Sequence, residues 1–192
     1  MKKLLSAVMI LVAAMSLSSC SYNSIVKLDE DTKAKWGTVQ SQYQRRADLI
    51  PNLVATVKGV ANFEKSTLTE VAEARAKATS IQVDPSKLTP ETIKQYQEAQ
   101  GQLSAALGRL LSVTENYPTL RANENFTALQ GQLEGTENRI AVARMDFNNS
   151  VKAYNSKIRA FPANLTSKMF GFTPKGYFEA DATAQKAPKV EF

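Results

Sequence analysis

The chain of 192 residues contains no histidine and a single cysteine, Cys20. Without histidine there is no imidazole for acid–base work near neutral pH and no Ser-His or Cys-His nucleophile pair. The Glu-x-x-His motif that holds a metal pair inside a helical bundle is excluded too. One cysteine rules out an intrachain disulfide and a thiolate metal cluster. Glycine and proline are scarce, at 8 and 7 residues, and the glycines never gather into a phosphate-binding loop. No segment alternates apolar and polar residues with period two, so no sheet is expected. No cofactor is implied.

The apolar run behind Lys2 and Lys3, from Leu4 to Leu17, has 14 residues, short of the about 20 that span a bilayer. A basic start, an apolar middle and small residues ahead of a cut make residues 1–19 a secretory signal. The signal ends in "LSSC", which resembles a bacterial lipobox, and Cys20 is then lipidated and becomes the first mature residue. The bland alternative for Cys20 is a buried or free thiol. Two or more acyl chains hold a protein on a membrane far more firmly than one. The expected location is the bacterial cell envelope, with the chain anchored in a lipid bilayer through acylated Cys20 and a short tether (20–24) and facing the periplasm. Which membrane receives it is open. The formal charge of +6 is mild, and its basic residues alternate with acids on helical stretches, so no nucleic-acid partner is implied.

Beyond the tether, helical periodicity dominates. Apolar positions at Ile25, Leu28, Trp36, Val39, Tyr43, Ala47 and Ile50 resume as Leu53, Val57, Val60, Leu68, Val71, Ala74 and Ala78. Asp84 before Pro85 and Thr89 before Pro90 read as helix starts. A second seam runs from Ile93 through Tyr96, Gln100, Leu103, Leu107 and Leu110 to Tyr117, where Pro118 stops it. A third runs from Phe126 through Leu133, Ile140, Phe147, Val151, Tyr154 and Ile158 to Phe161, stopped by Pro162. The expected fold is all-α: an antiparallel up-and-down bundle of three long helices over residues 25–172, the first broken near Pro51 to give about four. A short helix after Pro162 is expected to lay Leu165, Met169, Phe170 and Phe172 against the bundle end. Residues 173–192 read as a tail, with Tyr177 and Phe178 exposed.

The stretch "QRRADLIPNLVATVKG" concentrates what the rhythm does not explain. Pro51 costs about 3 kcal/mol inside a helix, but less in a first turn, so Asp48 is expected to cap a new helix with Pro51 just inside it. Arg46 sits on the apolar seam one turn from Tyr43 and Ile50, and Glu137 and Arg144 lie beside the seam between Leu133 and Phe147. A charge there must be paired. Either Arg46, Glu137 and Arg144, joined by Glu64 or Glu115, form a polar layer that fixes helix register, or the arginines run along apolar surface with their heads in water. Arg45, Arg46, Asp48, Pro51, Glu137 and Arg144 are accordingly candidates for a structural layer or a partner contact, not for catalysis. Glu70 and Glu73, or Glu134 and Glu137, share a helix face three residues apart and read as solvated pairs. The asparagines of "DFNNSVKAYNSK" either bond across helices or face solvent, and solvent is the expectation for Asn148 and Asn149.

Together "YNSIVKLDEDTKAKW", "QRRADLIPNLVATVKG", "LTEVAEARAKA", "LSVTENYPTLRANENF", "LEGTENRIAVARMDFNNSVKAYNSKIRAFP" and "FGFTPKGYFEA" resemble the LemA family, from Tyr22 to about Ala180. The resemblance implies an all-helical, bundle-like domain on the outer face of a bacterial inner membrane and brings no catalytic residues with it. Family members commonly keep an N-terminal transmembrane helix, whereas this chain presents "LSSC". The expected role is a membrane-tethered interaction or scaffold protein, not an enzyme, that meets an envelope protein or its own copies. The alternatives are a small-ligand or cell-wall-polymer binder and an enzyme using an interhelical carboxylate cleft.

Overall fold

The computed structural model describes the backbone of residues 2–59 and 64–179, and the side chains of residues 21–59 and 64–179 apart from Arg121. The side chains of the expected signal and of Cys20, the seam position Val60, and residues 180–192 lie outside it. The described residues form six helices in order: α1 (Lys2–Lys58), α2 (Lys65–Ser80), α3 (Pro90–Thr114), α4 (Pro118–Arg121), α5 (Glu124–Arg159) and α6 (Ala163–Met169). Among the described residues there is no strand.

The seams find one another as amphipathic stripes must. α1 and α5 lie antiparallel along one another, and α2 and α3 form a second antiparallel pair. At one end Ile50, Leu53 and Val57 pack with Leu68, Val71, Leu103, Leu110, Phe126 and Leu133. In the middle Trp36, Val39 and Tyr43 meet Ile93, Tyr96, Ile140, Phe147 and Val151. At the other end Ile25 meets Tyr154, Ile158 and Ala163. This is the expected up-and-down bundle.

Local chemistry sets the helix ends. Thr89 accepts a hydrogen bond from the Thr92 amide with Pro90 in the first turn of α3, and Asn123 accepts from the amides of Asn125 and Phe126 at the start of α5. Asp84–Pro85 does not start a helix. Its aspartate accepts from the Ser86 amide and its carbonyl from the Lys87 amide, which closes a turn instead.

The expected break at Pro51 does not occur. α1 passes through it and ends at Lys58. Pro51 cannot donate to the carbonyl of Ala47, and that carbonyl instead accepts a hydrogen bond from Arg75 Nε of α2 at 2.8 Å. A donor from the neighbouring helix replaces the missing rung, so the proline ties two helices together. Asp48 is therefore no cap. It is exposed within α1 and accepts from Gln44 Nε2 at 2.8 Å.

Several expectations near the C-terminus are also overturned, although Phe172 does pack against the bundle end as expected. α6 buries its small residues Ala163, Thr166 and Ser167, while Leu165, Met169 and Phe170 are exposed. Phe161 leaves the seam because α5 ends at Arg159, and it is 80% exposed. Packing does not stop at residue 172 either. Residues 173–179 run extended over the bundle, and Phe178, expected to be exposed, is buried against Trp36.

Candidate functional site

The polar layer lies where the seams of α1, α3 and α5 cross between the two larger apolar clusters. Arg46 is 1% exposed. Its Nη1 donates to Glu137 Oε1 and Ser104 Oγ, each at 2.7 Å, and its Nη2 donates to the Oε1 of Gln100 at 2.7 Å and to the Gln100 carbonyl at 3.2 Å. The guanidinium also stands 5.0 Å from the centroid of the Tyr43 ring. Gln100 passes the connection on, since its Nε2 donates to the Ala78 carbonyl at the end of α2. One arginine thus touches or reaches all four long helices, and Glu137, 47% exposed on its side chain, gives the buried charge a countercharge with access to water.

Of the residues singled out in the sequence, the structure brings Arg46 and Glu137 together. Arg144 does not join them by a hydrogen bond. It turns to the C-terminal segment, donating to the Glu179 carbonyl at 2.9 Å with its guanidinium 4.9 Å from the centre of the Phe178 ring. Arg144 nevertheless lines, with Arg46, Gln97, Gln100, Ser104 and Glu137, a cavity of about 410 Å³ between α3 and α5. Glu64 and Glu115 are exposed and take no part in the layer. Arg45 and Asp48 are exposed on the rim of an open cleft of about 800 Å³ that α1 makes with the end of α2 and with α3.

Sequence reasoning missed the second half of the site. The segment Thr173–Glu179 crosses between α3 and α5, and side-chain amides address its backbone in reciprocal pairs. Asn155 donates to the Lys175 carbonyl and accepts from the Lys175 amide, both at 2.9 Å. Asn148 does the same for Phe178, again at 2.9 Å, and does not face solvent as expected. Gln97 of α3 pairs with Glu179 at 2.9 and 3.0 Å. The Gly176 amide donates to the Leu88 carbonyl at 2.9 Å, and a Cβ on Gly176 would fall 2.7 Å from Pro90 Cα.

Two pockets take the side chains of that segment. Phe178 stacks on Trp36 at 5.9 Å between ring centroids and meets Phe147 edge-on at 5.6 Å. Lys175, 8% exposed, lies over the Tyr154 ring and pairs with Asp29 at 2.8 Å. Burial would raise the Asp29 carboxyl, but hydrogen bonds from Lys175 and Lys33 outweigh it and hold the group below its ordinary 3.8. The signal that could have found this groove is the seven-residue spacing of Asn148 and Asn155. Two helical turns are about 10.5 Å, close to three residues of extended chain.

At the end of the bundle where α1 enters, Tyr22, Phe161, Leu165, Met169 and Phe170 are all exposed, with Tyr22 and Phe170 rings 4.8 Å apart. The neighbouring stretches 21–28 and 156–172 carry Lys27, Lys157, Arg159 and Lys168 and no acidic residue. No helix among the described residues is long and apolar enough to cross a membrane.

The sequence model of the LemA family matches residues 35–192. Magnetosome protein MamQ 2 of Paramagnetospirillum magneticum is 28% identical over 194 residues, covering 90% of this chain and 70% of the relative. Magnetosome protein MamQ of Magnetospirillum gryphiswaldense is 28% identical with the same coverage, and Protein LemA of Metamycoplasma hominis is 23% identical over 82% of this chain and 68% of its own length. With a family match across most of the chain and a helical bundle beneath it, the protein belongs to the LemA family.

Proposed function

We propose that the chain is a membrane-tethered, non-enzymatic interaction protein of the bacterial envelope, standing on a bilayer by its α6 end and offering its α3–α5 side to a protein partner or to another copy. One observation carries this reading: the apolar and aromatic side chains of Phe161, Leu165, Met169 and Phe170 are bare at the α6 end, Phe170 stands against Tyr22, and the stretches that carry them, 21–28 and 156–172, hold four basic residues and no acid. Bare apolar groups rimmed by positive charge suit the headgroup boundary of an anionic membrane. Cys20 is two residues from Tyr22, so acyl chains on it would enter the bilayer beside the same patch. The carboxylates at helical spacing favour a role outside catalysis, since Glu70 pairs with Arg109 and Glu134 accepts from Gln130 on the surface.

Flotation with liposomes tests the reading. The mature chain from residue 20 carrying Cys20→Ser, which has neither signal nor lipid, is expected to retain measurable binding to phosphatidylglycerol vesicles, and Phe161→Ser with Phe170→Ser to abolish it. Equal flotation of both proteins would deny the patch a role at the bilayer. Mass spectrometry of the wild-type amino terminus from bacterial membranes is expected to show an acylated Cys20.

A further inference from the structure

The segment Lys175–Glu179 is held like a bound peptide. Its backbone belongs to no helix or sheet, and its main contacts come from side-chain amides that would grip any extended chain. Selectivity comes from two pockets three residues apart: an acidic one at Asp29 that takes a lysine, and an aromatic one at Trp36 and Phe147 that takes a phenylalanine. Between them only glycine fits against Pro90. The groove also continues past the segment, because Gln97 and Arg144, which hold Glu179, line the cavity over Arg46.

We propose that this groove is a receptor for an extended Lys-Gly-x-Phe peptide, and that the peptide it takes from a partner is the same segment of a second copy. The chain's own segment satisfies both pockets at once, and a second copy carries it by necessity. Every contact made within one chain is available between two, the usual condition for low-cost exchange of a terminal element. The segment is joined to α6 through exposed Phe170 and through Gly171, whose positive φ of 73° marks a turn rather than a helix, so it can swing out without unwinding an element. The attached segment competes at an effective concentration on the order of millimolar, so exchange belongs to crowded copies, as on a membrane.

Complementation between two full-length variants in detergent tests this without needing a bilayer, so its result stands apart from the flotation result. Gly176→Ala keeps the groove but drives its own segment against Pro90. Asn148→Ala with Asn155→Ala keeps the segment but removes two of the three amide grips. Each alone is expected to run as a monomer, and their mixture to give a one-to-one heterodimer by native mass spectrometry. Trp36, the single tryptophan, reads the same event. A synthetic Thr-Pro-Lys-Gly-Tyr-Phe-Glu peptide is expected to shift Trp36 emission to the blue in the Gly176→Ala chain and less in the wild type. Replacing the peptide phenylalanine with alanine should weaken binding about tenfold or more. If the double variant fails to fold by circular dichroism, the peptide titration decides; if Gly176→Ala fails, Phe178→Ala takes its place. A peptide that leaves Trp36 unchanged at millimolar concentration, together with a mixture that stays monomeric, overturns the proposal.

Discussion

Arg46 is a full charge with almost no contact with water, and it is tolerable because its Nη atoms meet a carboxylate, a hydroxyl, an amide and a carbonyl. Removing the carboxylate alone leaves the charge without its partner, so Glu137→Leu is expected to destabilise by about 2–4 kcal/mol and Glu137→Gln, which still accepts a bond, by about 1 kcal/mol. Arg46→Met combined with Glu137→Leu is expected to cost less than Glu137→Leu alone, about 1–2 kcal/mol, because the ion pair vanishes together and what is left is the buried Gln100 deprived of its donor. Urea unfolding separates the three, and a loss under about 0.5 kcal/mol for Glu137→Leu, the size of an ordinary surface change, would mean that water, not the carboxylate, supports the arginine. Asp29 answers to pH. Its folded carboxyl lies below 3.8, so the stability it lends the Lys175 contact is complete above that value and is lost as the pH falls through the folded value. An acid titration followed through Trp36 should show this loss, and Asp29→Asn should remove it. Arg46 and Glu137 were legible in the sequence because both sit against an apolar repeat. Gln97, Asn148 and Asn155 were not, because a single amide on a helix face reads as solvated, and only the seven-residue spacing of Asn148 and Asn155 hints that an extended segment will lie on them.

At the level of the helices, the apolar periods foretold which faces meet, and the cap at Thr89 marked one boundary. What periodicity could not convey was the fate of Pro51, since the compensating donor, Arg75, comes from another helix. This makes Pro51 and Arg75 a coupled pair. Arg75→Ala is expected to cost about 1–2 kcal/mol in the wild type, where it orphans the Ala47 carbonyl. With Pro51→Ala in place the residue-51 amide can serve that carbonyl, and the same change should cost markedly less. A double-mutant cycle measured by denaturation checks the coupling, and strict additivity would detach the proline from the arginine. The inward face of α6 was hidden for a related reason. Its large residues are apolar, but a seven-residue helix that turns Ala163, Thr166 and Ser167 inward has only small groups to bury, and Ser167 closes a hydrogen bond to the Ile158 carbonyl.

For the molecule as a whole, composition conveyed the class and the charge but not where the charge gathers. The basic residues around α6 come from α1, α5 and α6, elements that only the folded chain packs against one another. Each basic residue near an anionic leaflet contributes about 1 kcal/mol. Replacing Lys157, Arg159 and Lys168 with glutamine in the Cys20→Ser chain is therefore expected to lower partitioning into phosphatidylglycerol vesicles by up to about a hundredfold and to flatten its salt dependence. Unchanged partitioning would assign the binding to apolar groups alone.

The absence of a joint at Pro51 has a geometric result. With α1 unbroken from Tyr22 to Lys58, a rise of 1.5 Å per residue sets Trp36 about 21 Å, Arg46 about 36 Å and Lys58 about 54 Å along the axis from Tyr22. On a bilayer at the Tyr22 level the helix is a ruler. If the bundle stands upright on a bilayer as proposed, a neighbour must project about 20 Å from the lipid to reach the level of Trp36, and only a taller one would reach the cavity over Arg46.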